Sequence, residues 1–135
     1  MDDRHIILNR IETPDGTILT SYSVHDYKTY IDKNGCEYMV DGGCSYLRRN
    51  VNDDFPEKEL SVYSDAPFDI IRKSMHWGTF GKDGNQPLKY VLLCDLSDSH
   101  IKEILNTQKR LPKWKLEIFE KELEYRILIN KTIEE

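Results

Sequence analysis

The sequence predicts an α+β fold, with antiparallel β-hairpins at the amino-terminal end packed with three helices, the C-terminal one long. Three observations carry this reading. Two turn tetrapeptides, Thr13-Pro14-Asp15-Gly16 and Asp32-Lys33-Asn34-Gly35, each lie between short runs rich in apolar, β-branched and aromatic residues. Beyond residue 64, apolar residues recur at the three- and four-residue spacing of a helix face. Acceptor side chains or a proline stand where those periodic runs begin, which is how helices start.

The elements follow in order. His5–Ile11 and Thr17–Ser23 form the first hairpin, because Pro presets φ and Gly accepts a positive φ in the turn between them. Tyr27–Ile31 and Cys36–Val40 form the second around Asn34-Gly35, and Asp41-Gly42-Gly43 ends its strand. Residues 50–59 are polar and aperiodic, so they read as a loop and as the seam between a hairpin module (1–49) and a β/α module (60–135) of a single domain. Leu60–Tyr63 reads as a brief edge strand. Ser64-Asp65-Ala66-Pro67 then starts a helix that buries Phe68, Ile71 and Met75, runs to His76 and stops at Gly78. Residues 78–87 form a glycine-rich loop, and Leu88–Cys94, the most apolar run, is expected to be a central strand. Asp95-Leu96-Ser97 caps a helix with Ile101, Ile104 and Leu105 on one face. Pro112 opens the last helix towards Asn130, with Leu116, Phe119, Leu123 and Ile127 as its stripe. Its Glu117–Lys121 and Glu122–Arg126 pairs are expected on the surface.

Composition bounds the function. The chain has 135 residues and a net charge of -5, and the deficit lies in front: residues 1–63 hold seven Lys and Arg against twelve Asp and Glu, while the rest balances. An acidic front half argues against nucleic acid as a partner, because phosphates call for Lys and Arg. No apolar run reaches the roughly 18 residues that span a bilayer, and the start MDDRHIIL is acidic, so a cytosolic protein without membrane attachment is expected. Cys36, Cys44 and Cys94 are an odd, scattered set that fits a reducing compartment.

Chemistry-bearing motifs are few. Cys36 and Cys44 lack ribbon or finger spacing, so neither a metal nor another cofactor is expected, and Cys94 reads as a core residue. No nucleophile elbow, phosphate loop or dinucleotide fingerprint occurs, and no catalytic residue is assigned. His25-Asp26 would face opposite sides of a strand, which leaves His25 as a surface residue. Gly78, Gly81 and Gly84 bracket Lys82, so the loop reads either as a flexible connection or as an anion-binding nest. Trp77 and Phe80, expected to be exposed, would make it a contact surface. Asp41 is expected to hold the Gly42-Gly43 turn, with Tyr46 and Leu47 in the core and Arg48 folded back on Asp41 or Asp26. Alternatively, Arg48 and Arg49 form an anion receptor or meet an acidic partner.

Val40-Asp41-Gly42-Gly43-Cys44-Ser45-Tyr46-Leu47-Arg48-Arg49, preceded by His25-Asp26-Tyr27-Lys28, resembles a family of small uncharacterised proteins of tailed bacteriophages. Those read His-Asp-Phe, Val-Asp-Gly-Gly and Tyr-Leu-Arg-Arg in turn. Trp77 to Gly84, continuing through Leu88 to His100-Ile101 and Gln108, resembles a companion module of larger phages of the T4 type. The two stretches span roughly two thirds of the chain. Shorter relatives carry Cys-x-x-Cys before the His and Cys-x-Cys after it, the makings of a zinc-ribbon-like hairpin pair. Here Glu12 and Asp15 match the first pair, and Tyr30 with its neighbours the second. The resemblance implies a phage protein acting in the host bacterial cytoplasm, with hairpin turns and aromatic packing in place of zinc.

The leading expectation is a non-enzymatic accessory protein that binds a host or phage protein, with Arg48, Arg49, Asp41, His25, Trp77 and Lys82 as contact residues. Homo-oligomerisation through the C-terminal helix is a further expectation. A nucleotide or small-anion binder that counters host defence signalling, using Arg48, Arg49 and the Lys82 loop, is the alternative. An enzyme acting on nucleotides through His25, Asp26, Asp41 and His76 ranks last.

Overall fold

The computed structural model describes residues 4–81 and 83–134, with side chains through Asn130. It is an α+β fold that divides into two compact units, Met1–His76 and Trp77–Glu135. Lys82 lies outside the described residues.

The first unit is built from hairpins. β1 (Ile6–Glu12) pairs antiparallel with β2 (Ile18–Ser21), with Ile11 opposite Leu19. β3 (Lys28–Ile31) pairs with β4 (Glu37–Asp41), with Tyr30 opposite Tyr38. Both turns use one device. Thr13 N–H donates to the Thr17 carbonyl and Gly16 N–H to that of Thr13. Asp32 N–H donates to Cys36 and Gly35 N–H to Asp32. Gly16 and Gly35 have φ of 90° and 78°, so each hairpin closes through three residues ending in a left-handed glycine. Side chains reinforce both, since Thr13 Oγ1 accepts from Thr17 N–H, and Asp32 Oδ1 accepts from Asn34 and Cys36 N–H.

β5 (Arg48–Arg49) extends the second hairpin by pairing with β4. β6 (Lys58–Glu59) and β7 (Val62–Tyr63) both pair with β1 on its other edge. Residues 58 and 59 are therefore strand within the first unit, and the division between units falls at 76/77, outside the loop expected at 50–59. Alternation along β1, β2 and β4 brings Ile11, Leu19, Tyr38 and Val40 into one core, with Tyr30 and Cys36 packed on it.

α1 is only Phe68–Arg72, which corrects the helix expected to reach His76. Ser64 does not cap it: its hydroxyl accepts from the His5 N–H at 2.8 Å, and Pro67 stands at the cap position. Ile71 and Met75 are buried as expected. His76 opens a strand, β8 (His76–Thr79), so Gly78 is a strand residue and stops no helix.

In the second unit β8 pairs with β9 (Lys89–Leu92) in a two-stranded sheet. The apolar run 88–94 is thus no central strand. It leaves the sheet at Leu93 in a single 3-10 turn, Leu93–Asp95, and Cys94 is half-buried. α2 (Asp98–Thr107) starts at Ser97, whose hydroxyl accepts from His100 N–H at 3.1 Å, as the sequence predicts. α3 (Lys113–Glu134) has 22 residues, about 33 Å of helix. Leu93, Leu96, Ile101, Ile104, Ile118 and Phe119 are the buried residues of this unit's core.

Glu122 is buried with them, which corrects the expectation of a surface pair. Its Oε2 accepts from Arg126 Nε at 2.7 Å, and Arg126 Nη1 donates to Asp98 Oδ1 at 2.6 Å. Arg126 Nη2 also donates to the Leu93 carbonyl at 3.1 Å. One guanidinium therefore fastens α3 to the start of α2 and to the 3-10 turn. Burial opposes its charge, yet the bonds to Asp98 and Glu122 outweigh that and raise its pKa.

Candidate functional site

Two turns of the first unit that are distant in sequence are locked together. Ser21, buried at the end of β2, donates its hydroxyl to the Asp26 carbonyl at 2.7 Å and accepts from Gly43 N–H at 2.9 Å. Gly43 has φ of 52°, and a Cβ there would stand 2.4 Å from the Ser23 carbonyl carbon. Only glycine lets the two backbones approach this closely. Gly42, with φ of 103°, packs as tightly on Tyr46. The sharp turn and close approach expected of the glycine pair are both present.

Asp41 holds this turn as predicted, accepting from Gly42 N–H through Oδ1 at 2.8 Å. Its Oδ2 lies 3.4 Å from the Tyr46 hydroxyl and 3.8 Å from Arg48 Nη1. The Tyr46 hydroxyl also lies 3.3 Å from the Val24 carbonyl. Beneath, Asn9 is wholly buried and donates from Nδ2 to the carbonyls of Asp41 (2.9 Å) and Tyr46 (3.3 Å).

The outer side of this frame is apolar and aromatic. Val24, Tyr27, Tyr46 and Leu47 are all exposed, Tyr27 to 56%, and so are His25 and the Arg48 side chain. Tyr46 and Leu47 are therefore not the core anchors the sequence suggested. Gly42 fixes the turn, and Tyr46 lies over it instead of under it. His25 sits in the turn after β2, not on a strand. Asp26 accepts from Tyr22 N–H at 2.8 Å and pairs with Lys28 at 3.4 Å.

Arg48 and Arg49 do not converge. They are consecutive on β5 and point to opposite faces. Arg48 lies by Asp41, whereas Arg49 Nη2 donates to Glu59 at 3.1 Å and to the Ser61 hydroxyl at 3.2 Å, with its side chain largely buried. Arg49 is a bridge from β5 to Glu59 on β6 and to Ser61 just after it, and the pair forms no joint anion receptor.

Trp77 belongs to the second unit. It is half-buried, edge-to-face on Phe119 with centroids 5.5 Å apart, which corrects the exposed position expected. Phe80 is exposed. The amides of two loop glycines are occupied locally, since Gly81 N–H donates to Thr79 Oγ1 and Gly84 N–H to the Gly81 carbonyl. The open depression beside this loop, about 640 Å³, is lined by Thr79, Gly81, Ser97, Ser99, His100 and Glu103. Among the described residues no converging set of cationic donors lines it.

Of the acid/base set, Asp41 is engaged in the glycine turn, while His76 packs its ring edge-on against Tyr22 at 4.9 Å. Burial lowers the His76 pKa, and the nearby Arg10 charge pushes it the same way against a hydrogen bond with the Ser74 backbone. No group of three or more His, Cys, Asp or Glu that could hold a metal occurs among the described residues. Where the resemblance places zinc-ligand cysteines, the Tyr30 hydroxyl donates to Asp15 Oδ2 at 2.5 Å. The Thr13 hydroxyl and then Tyr30 hold the Asp15 carboxyl well below the usual carboxylate range.

Val24, Tyr27, Tyr46 and Leu47 as a surface are what residue-by-residue reading missed. The only signal was the chemical one, tyrosines adjoining a glycine turn. Comparisons with family models, with curated proteins and with solved structures give no match for this chain.

Proposed function

We propose that this chain is a non-enzymatic accessory protein of a tailed bacteriophage that binds a host or phage protein in the infected bacterium's cytoplasm. Its contact surface is the paired turns of the first unit. The observation that supports this is the locking of turn 23–27 to turn 42–46 through Ser21 and Gly43, which presents Val24, Tyr27, Tyr46 and Leu47 beside His25 and Arg48. Both turns overlap the first of the two stretches that resemble phage proteins. Exposed tyrosine with arginine on a rigid frame is the composition of binding hot spots, because large side chains desolvate there at low entropic cost.

The test is capture from bacterial lysate with tagged protein, followed by direct binding of the purified partner. Leu47→Ala/Arg48→Ala, exposed positions that leave Asn9, Ser21 and Gly43 in place, is expected to weaken that binding at least tenfold. A partner bound equally by the double variant would remove this surface from the proposal. Self-association through the end of α3, where Ile127 and Ile129 are exposed, is the accompanying proposal. Light scattering across a concentration series reads it directly.

A further inference from the structure

The first unit carries a second polar cluster on the other side of its first hairpin. Arg10 on β1 stands directly opposite Thr20 on β2, so the two side chains share a face, the one away from Ile11 and Leu19. Tyr22 follows Thr20 by two residues. Its ring carries the edge of His76 at 4.9 Å and the Lys28 ammonium at 4.8 Å. Arg10's charge reaches His76 strongly enough to act on its proton affinity.

Two nitrogen atoms in this cluster lack a hydrogen-bond partner, although the His76 imidazole also feels the Ser74 backbone. Arg10 Nε and His76 Nδ1 are both buried and unbonded, and among the described residues the Arg10 guanidinium makes no hydrogen bond or ion pair at all. Other buried polar atoms without partners exist, but their residues are engaged elsewhere: Arg49 holds Glu59, Asn9 holds two carbonyls, and Asp32 caps its turn. Arg10 and His76 remain, the one cationic and the other able to become so, with the charge of Arg10 felt at His76. A buried donor without an acceptor is costly, and an arginine fork is matched by oxyanions.

The surrounding charges define what fits. Asp26 is paired with Lys28, and Glu12, on the same face of β1, stands opposite Ile18 and Lys58 without an ion pair to Arg10. The uncompensated charge is Arg10's, joined by that of His76 once protonated. We infer that Arg10 and His76, flanked by Tyr22 and Lys28, form a binding site for a tetrahedral oxyanion, the phosphoryl group of free phosphate or of a phosphomonoester. This site is separate from the turn surface proposed for protein binding.

The test follows the imidazole signals of the full-length protein by NMR while inorganic phosphate is added at constant ionic strength, with the His76 signal assigned from His76→Gln. The expected result is a saturable shift at His76, with His25 and His100 unmoved. Arg10→Gln should weaken this at least tenfold, and Arg10→Lys, which keeps the charge but not the fork, by an intermediate factor. Should Arg10→Gln lose its fold, the Arg10→Lys comparison and phosphate calorimetry on His76→Gln, expected to show at least threefold weaker binding, carry the same decision. A nucleoside monophosphate binding more tightly than phosphate assigns the site to an ester, and equal affinity assigns it to the free ion. A linear response shared by all the histidines, or affinity unchanged in both Arg10→Lys and His76→Gln, would overturn the site.

Discussion

Asn9 and Glu122 are fully buried polar residues, one in each unit, and they are held by different means. Asn9 is a neutral amide whose protons go to two backbone carbonyls of a glycine turn. Glu122 is a carboxylate whose partner, Arg126, is shared with Asp98 and a main-chain carbonyl. The first unit fixes loops against each other by backbone proximity and short neutral bonds, which rigid turns favour. The second fixes helices by a charged network. Such a network costs much desolvation and tolerates little loss of a member.

The comparison can be broken at its tightest point. Gly43→Ala combines a left-handed backbone with a Cβ set against Ser23, and it should cost the first unit about 4 kcal/mol. Hydrogen exchange would then show protection lost in β1–β5 while α2 and α3 keep theirs. In the second unit, Glu122→Ala should cost about 3 kcal/mol, since it leaves Arg126, in a largely buried place, with the exposed Asp98 as its one carboxylate partner. Glu122→Leu/Arg126→Met should recover most of that in chemical denaturation. A double variant as unstable as the single would mean that the ions do more than satisfy each other.

Gly16→Ala sharpens the account of the turns. No atom lies near its would-be Cβ, so only the φ of 90° is strained, and about 1 kcal/mol is expected. The contrast with Gly43→Ala separates conformational strain from steric approach. The smallest effect concerns Asp15. Its pKa is depressed in the folded state, so its contribution is full above the unfolded value near 3.8 and is lost as pH falls through the folded one. Tyr30→Phe should move the Asp15 pKa upwards, read by carboxyl NMR, and flatten the acid limb of stability.

The turns, caps and last helix were legible because their chemistry is local. Gly16, Gly35, Ser97 and Pro112 signal their roles within four residues. What was not legible depended on distant partners. Ser64 reads as a cap until the His5 amide takes its hydroxyl. Trp77 reads as exposed until Phe119 meets it, and an i,i+4 Glu–Arg pair looks like a helix surface until Asp98 and Leu93 enclose it. The candidate surfaces divide the same way. Asp41 and its glycines were readable, but the approach of turn 23–27 required a hairpin register. Arg10 and His76 come together only through cross-strand pairing and the early end of α1, for which no local pattern exists.

The strand order of the first unit also bears on how fast it can form. β1–β2 and β3–β4 close through three-residue loops and need no distant segment. β6 and β7, by contrast, join β1 across some 50 residues, with Ile11 opposite Glu59 and the Ser64 hydroxyl on His5. Closing that long loop is an entropic cost the hairpins never meet. The slow step in building this unit is therefore the return of residues 58–64 to β1. Substitutions at Ser61 or Ser64 should accordingly leave the early hairpins unchanged and alter only the rate at which they are sealed.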